Sequence, residues 1–195
     1  YLPVSTMIYD GIEADDTIAY LTKHNESDLG NEVVIVSTDK DFLQLVSDKV
    51  KVFSPTKKKL YNRQMVFDEY GIWPENLLLY RTLDGDKSDN IPGIRGCGIK
   101  TLLKRFPELS EDKLITHDDF FQMCEEKQGK IKLYDDILKA KDQLLMNKRL
   151  MELKEPHIPT NQKLKILDRF NQNDIEFKKL DFLKVGQKYK ILQNW

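Results

Sequence analysis

Seven carboxylates in three short clusters are the residues of this chain best suited to chemistry. Glu13, Asp15 and Asp16 form the first cluster, Asp39 and Asp41 the second, and Asp86 and Asp89 the third. Each has an ordinary explanation alone. Acids at a helix start suit the helix dipole, Asp-x-Asp after a strand is a common turn or cap, and Gly-Asp…Asp-Asn is a common polar loop. Convergence would change the reading, because so many like charges cannot all stay ionised in one place without cations. Hard carboxylate oxygens suit Mg²⁺ or Mn²⁺ rather than zinc. Two such ions side by side activate a water and stabilise the leaving oxygen in phosphodiester hydrolysis.

A glycine-rich stretch follows the third cluster at once: Asn90-Ile-Pro-Gly93-Ile-Arg-Gly96-Cys-Gly98-Ile-Lys100-Thr101. Glycine permits backbone conformations and close approaches that a side chain blocks. A helix starting near Ile99 would aim free N–H groups at an anion. Lys100, Lys104 and Arg105 add positive charge beside it. The pattern suits a hairpin that holds a DNA backbone phosphate without reading bases. The alternative is a plain glycine-rich connection between helices.

The elements that must position these groups can be read from periodicity. Val33–Thr38 is a β-branched apolar run, the mark of a strand buried on both faces. In an open α/β sheet, sites lie beyond the carboxyl ends of strands, which is where Asp39 and Asp41 fall. Asp15–His24 reads as a helix, residues 4–9 as a preceding strand, and Asp41–Val46 as a short helix. Val50–Phe53 and Leu60–Tyr61 flank a hairpin turn at Pro55–Lys59. Strands alternating with helices indicate an α/β layer with a parallel sheet. Beyond Asn62 the pattern is helical: Arg63–Tyr70, Glu75–Leu83, Ile99–Phe106, Phe120–Glu126, a long stretch Leu133–Leu153 ended by Pro156 and Pro159, then Leu164–Phe170 and Asp181–Leu192.

Composition narrows the class. The 195 residues carry 31 basic and 32 acidic side chains, a formal net charge of −1. That total excludes a polybasic nucleic-acid sponge and an acidic tail protein, yet it conceals a separation. Residues 1–129 hold 16 basic and 23 acidic groups, whereas residues 130–195 hold 15 and 9. The acidic part is the one that demands cations, and the basic part is the expected excess facing DNA. Two cysteines, Cys97 and Cys124, make neither a disulfide framework nor a zinc spacing and suit a reducing compartment. No apolar run is long enough to span a bilayer and no secretory signal is evident, so the expectation is a cytoplasmic protein without a membrane. The first Met is Met7, which points to a fragment or processed product.

With these residues in order, Gly-Ile-Glu13-Ala-Asp15-Asp16, Val-Ser-Thr-Asp39-Lys-Asp41-Phe, Gly-Asp86-Lys-Ser-Asp89-Asn-Ile-Pro-Gly and Gly-Cys-Gly-Ile-Lys-Thr, the chain resembles the 5′-nuclease family. That family includes flap endonucleases, the 5′-exonuclease domain of bacterial DNA polymerase I, and phage 5′-nucleases of the ribonuclease H type. The match is specific over about residues 8–106. The resemblance implies a Rossmann-like (PIN-like) α/β nuclease core over 1–85. It also implies a mostly helical region over 86–195, with a helix–three-turn–helix element at about 86–106. It implies two-metal, Mg²⁺-dependent hydrolysis at 5′ ends or flaps of branched DNA or RNA–DNA duplexes, by a monomer of a bacterial or phage-infected cell. Glu13, Asp15 and Asp16 would serve the first metal, and Asp39, Asp41, Asp86 and Asp89 the second. Gly93, Gly96, Gly98, Lys100, Thr101 and Lys104 would hold the downstream duplex, around a monovalent cation such as K⁺. Family members also carry an earlier Asp-bearing strand, a further metal-binding Asp and a basic helical arch. Only twelve residues precede Glu13 here, so the core is expected to be N-terminally incomplete and to need that part for activity.

Two other functions compete. One is a non-catalytic branched-DNA-binding module of the same fold. The other is a small acidic-site ribonuclease, against which the third cluster and the glycine hairpin argue. Elsewhere, Lys57–Lys59 reads as a solvated turn more than a phosphate contact. The Lys139–Arg149 face serves either a DNA track or i,i+4 pairing. Trp73 reads as packing; Trp195 has no evident role. His24, His117 and His157 read as surface residues, and Cys97 as a small apolar stand-in.

Overall fold

The computed structural model describes residues 4–172 and 179–188. The chain divides into two compact units, one of residues 1–17 with 157–195 and the other of residues 18–156. Helix α1 (Ala14–Lys23) begins in the first unit and ends in the second. The first unit also holds α8 (Thr160–Asn171) and α9 (Lys179–Lys188). There Ile166 is fully buried, and the Tyr9 hydroxyl donates to the Lys165 carbonyl at 3.3 Å. The helix expected over Asp181–Leu192 is described only to Lys188; its end, and Trp195, lie outside the described residues. Residues 4–9 form no strand.

The second unit carries the sheet. Strands β1 (Val33–Val36), β2 (Val50–Ser54) and β3 (Lys59–Tyr61) stand in the order β1-β2-β3. β1 and β2 pair in parallel, with Ile35 opposite Val52, while β2 and β3 form the antiparallel hairpin. The sheet is therefore mixed. β1 also departs from its expected double burial: Ile35 is 5 % exposed, but Val34 and Val36 are 55 % and 64 % exposed. β1 lies at the edge of a three-stranded sheet, so its β-branched run meets the core on one face only.

Helices α2 (Arg63–Tyr70) and α3 (Pro74–Asp84) follow, and their ends are set by local chemistry. The Asn62 side chain accepts from the Met65 amide at 2.9 Å, and Gly71 ends α2 in the left-handed conformation. Pro74 opens α3, where its missing N–H costs nothing. Trp73 stacks on Phe67 at 4.6 Å between ring centroids, which confirms packing. Then come α4 (Ile99–Arg105), α5 (His117–Glu126), α6 (Lys132–Lys139) and α7 (Lys141–Met151). A reciprocal cap between Thr116 and Asp119 opens α5. The long helix expected over Leu133–Leu153 is two helices broken at Ala140. No Gly or Pro marks the break, and Ile137 and Leu144 on either side of it enter the same core.

Two apolar cores fill this unit. One gathers Ile35, Val50, Val52, Val66 and Leu77 between the sheet and its helices. The other gathers Leu102, Phe106, Phe120, Phe121, Ile137 and Leu144 among the helices. Three buried side-chain amides clip irregular backbone onto these layers. Gln44 donates to the Met151 carbonyl at 2.9 Å and accepts from the Leu153 amide at 3.1 Å. Asn76 does the same for Lys113 and Ile115, each at 2.8 Å. Asn147 is the third.

His117 is buried, against the expectation of a surface residue. Its Nε2 lies 3.1 Å from the Thr82 hydroxyl, which donates to the Leu79 carbonyl. Burial, and then the charge of Lys148, push its pKa down from 6.5 to about 4. The folded state therefore binds this proton less readily than the unfolded state. Its stabilising share is complete above pH 6.5 and is lost as the pH falls toward 4. Urea denaturation of His117→Gln should show a shallower fall of stability than the parent chain over that interval.

Candidate active site

Thr38 follows β1, and the chain then turns sharply. The Asp39 carboxylate accepts from the Asp41 amide at 2.8 Å, and the Asp39 amide donates to the Ser37 hydroxyl at 3.1 Å. This bond fixes the turn and starts a tight helical turn over Asp41–Leu45, whose Phe42 and Leu43 anchor it in the core. Both carboxylates of the second cluster thus stand at the carboxyl end of a parallel strand, as expected.

The third cluster arrives from α3. Gly85 ends the helix at φ +74°, and the chain doubles back on itself. The amide and carbonyl of Asp86 exchange bonds with Ile91 at 2.9 and 2.7 Å. Only glycine fits at position 93, because a Cβ there would lie 2.0 Å from the Asp84 carbonyl oxygen. The Asp86 carboxylate accepts from the Ser88 amide at 2.8 Å and from the Ser88 hydroxyl.

Arg81, in the last turn of α3, joins the clusters. Its Nε donates to Asp41 at 2.7 Å and its Nη2 to Asp86 at 2.5 Å. All three side chains are largely screened from water, with relative exposures of 14 % for Arg81, 16 % for Asp41 and 20 % for Asp86. Burial raises the pKa of Asp41, a rise that Arg81 opposes and that Asp39 and Asp86 reinforce. The hydrogen bonds from Ser88, its side chain first, and the one from Arg81 hold Asp86 down at about 2. An open cavity of about 730 Å³ lies beside this pair, lined by Asp39, Asp84, Asp86 and Asp89 with Arg81 and Lys40 among others.

The structure therefore brings the second and third clusters together. It adds two residues that motif reading passed over, Asp84 and Arg81. The available signal was their placement, two and five residues before Asp86. Glu13, Asp15 and Asp16 belong to the other unit, before and within the first turn of α1. There, burial and the neighbouring Asp15 raise the pKa of Asp16. The donor chemistry of the cavity fits a hard divalent ion. Among the described residues, however, no three His, Cys, Asp or Glu side chains stand close enough to hold a metal ion by themselves. Arg81 supplies the positive charge that Asp41 and Asp86 face.

Gly93, Gly96, Gly98, Lys100, Thr101 and Lys104 all lie exposed along the segment leaving this cavity and on α4. Gly96 adopts φ +90°. Gly98 begins α4 by accepting from the amides of Thr101 and Leu102 at 2.9 and 3.1 Å. Cys97 is buried beneath, consistent with its expected packing role. Lys57 and Lys59 both bind Glu69, at 2.7 and 2.9 Å, and so brace the hairpin. No helix among the described residues is long and apolar enough to cross a membrane.

Residues 1–71 match the family described as 5′-3′ exonuclease, N-terminal resolvase-like domain. A 5′-3′ exonuclease of Aquifex aeolicus is 44 % identical over 99 residues, 49 % of this chain and 34 % of that protein. The DNA polymerase I of Bacillus subtilis is 40 % identical over 143 residues, 71 % of this chain and 15 % of that protein. Among solved structures, T5 5′-exonuclease with bound divalent zinc ions has a TM-score of 0.65 at 25 % identity, covering 86 % of this chain and 58 % of that one. The T5 D15 flap endonuclease in complex with DNA and metal ions shares the fold, with a TM-score of 0.63 at 24 % identity, covering 93 % of this chain and 62 % of that one. These matches support a member of the 5′-nuclease family with a resolvase-like α/β fold. The chain spans about a third of the length of the exonucleases from Aquifex and Buchnera.

Arg81 is testable as the joint between the clusters. Arg81→Met leaves Asp41 with its burial and without its partner, so the unfolding free energy at pH 7 should drop by about 2–4 kcal/mol in urea titrations. The deficit should narrow on acidification, because Asp41 then takes up a proton before it is buried. In the parent chain, the share of stability from Asp86 is present above pH 3.8 and is lost as the pH falls through about 2.

Proposed function

We propose that this chain is a C-terminal portion of a structure-specific 5′-nuclease. It would hydrolyse phosphodiesters at 5′ ends or flaps of branched DNA or RNA–DNA duplexes, in the cytoplasm of a bacterial or phage-infected cell. The observation that carries this reading is the meeting of the Asp39–Asp41 turn and the Asp86–Asp89 loop at one cavity, from which the glycine-rich segment runs to Lys100. Glu13, Asp15 and Asp16 are assigned to a first divalent ion and Asp39, Asp41, Asp86 and Asp89 to a second, Mg²⁺ or Mn²⁺ in each case. When bound, such ions supply an activated water and stabilise the leaving oxygen.

The residues of this chain do the rest. Arg81 and Ser88 hold the Asp86 carboxylate in one orientation. Gly93, Gly96 and Gly98 keep the helix–three-turn–helix segment thin enough for a backbone phosphate to approach, with K⁺ as a candidate bridging cation. Lys100 and Lys104 contribute charge without base contacts. Catalysis is assigned to this chain together with an additional N-terminal part carrying an Asp-bearing strand and a basic arch. The second reading, a non-catalytic branched-DNA-binding module, is favoured by one observation: Arg81 already satisfies Asp41 and Asp86.

Incubation of the 195-residue chain with a 5′-flap substrate and Mg²⁺ should give binding with little cleavage. Addition of the N-terminal part should restore cleavage, and Asp39→Asn in that complete protein should abolish it while leaving DNA affinity intact. Unchanged cleavage by the Asn variant would remove Asp39 from the site. Lys100→Ala should weaken duplex binding alike for all sequences and lower the slope of log K against log[salt] by about 1. A loss confined to particular sequences would contradict a phosphate role.

A further inference from the structure

Helix α3 ends in an unusual way, and its ending sets the acidic loop. In a continuing helix the Thr82 carbonyl would accept from the Asp86 amide, and the Leu83 carbonyl from the Lys87 amide. The Asp86 amide instead bonds to Ile91. The two carbonyls therefore need other donors, since buried backbone oxygens cost free energy when left unpaired. The Ile94 amide takes Leu83, at 2.7 Å. The Asn147 side chain, 2 % exposed on α7, takes Thr82 at 3.0 Å.

The same Asn147 amide group also donates to the Pro92 carbonyl at 2.8 Å. Gln143, one turn earlier on α7, donates to that carbonyl at 2.9 Å. Both lone pairs of one exposed-loop carbonyl are thus used by a helix more than fifty residues away in sequence. Pro92 stands between the two halves of the proposed site: Asp86 and Asp89 precede it, and Gly93, Gly96, Gly98 and Lys100 follow it. A hydrophobic side chain at 147 could fill the same space, but only a two-donor amide ties the helix end and the loop exit to one point.

We propose that Asn147 and Gln143 are positioning residues that clamp the acidic loop against α3 and hold it in fixed register with the phosphate-gripping segment. The inference rests on the function proposed above. Neither residue touches substrate; each acts through the Pro92 carbonyl.

The test uses the full chain, Gln143→Leu, Asn147→Leu and Lys100→Ala, at a temperature where circular dichroism shows every variant folded. Amide exchange read by mass spectrometry reports the clamp without any ligand. Each lost bond should speed exchange of residues 86–98 by about 3- to 10-fold, with the rest of the unit unchanged. Affinity for a fluorescent duplex in EDTA should fall by a similar factor, about 3- to 10-fold, with the salt slope kept, whereas Lys100→Ala lowers the slope. Gln143 is only half-buried, so Gln143→Leu decides the matter if Asn147→Leu does not fold. Unchanged exchange in 86–98, or acceleration spread evenly over the chain, overturns the clamp and leaves a merely structural role. Faster loop exchange with unchanged duplex affinity overturns the positioning role. If the parent chain does not bind the duplex, the proposed function falls, and the exchange result alone then decides the clamp.

Discussion

The site depends on one guanidinium. Asp41 lies in a turn beyond a strand, and Asp86 in a loop beyond a helix. Nothing in the backbone joins these two segments directly. Arg81 reaches both, at 2.7 and 2.5 Å, from the last turn of α3. A planar fork can bind two carboxylates in fixed directions, which a lysine ammonium cannot do. The arrangement also resolves an electrostatic conflict. Burial would push the acids toward protonation, and Arg81 counters this at both sites. The cavity beside them consequently keeps its acidic lining without the clusters driving each other apart.

Around this joint the structure uses the same device three times. Gln44, Asn76 and Asn147 are each buried and each bind two backbone groups from distant segments. A buried amide is costly when unpaired and specific when paired. It therefore suits segments that lack a ladder of their own. Gln44 holds the chain leaving α7, Asn76 holds the approach to α5, and Asn147 holds the loop that carries the third acidic cluster. Regular helices pack by apolar faces, while the irregular parts near the site are fastened by polar clips.

Much of this architecture is legible in the sequence. Helix Arg63–Tyr70 was readable to the residue, because Asn62 and Gly71 mark its ends chemically. The β2–β3 hairpin and α4 were readable for similar reasons of turn and glycine placement. The second and third clusters were readable as a pair, since one follows a strand and the other precedes a glycine segment. The double burial expected of Val33–Val36 failed, because β-branching reports strand propensity and not the number of layers around a strand. The break at Ala140 had no Gly or Pro to announce it, and the burial of His117 depends on packing against Thr82.

The sequence by itself determined the local chemistry: which segments turn, cap and alternate, and which carboxylates fall at their ends. These are matters of backbone geometry and side-chain type over a few residues. Tertiary structure alone decided which charges meet. Arg81 and Asp41 are forty positions apart, and Asn147 and Pro92 fifty-five. Pairings over such distances follow from how helices and sheet pack, and no local pattern encodes them.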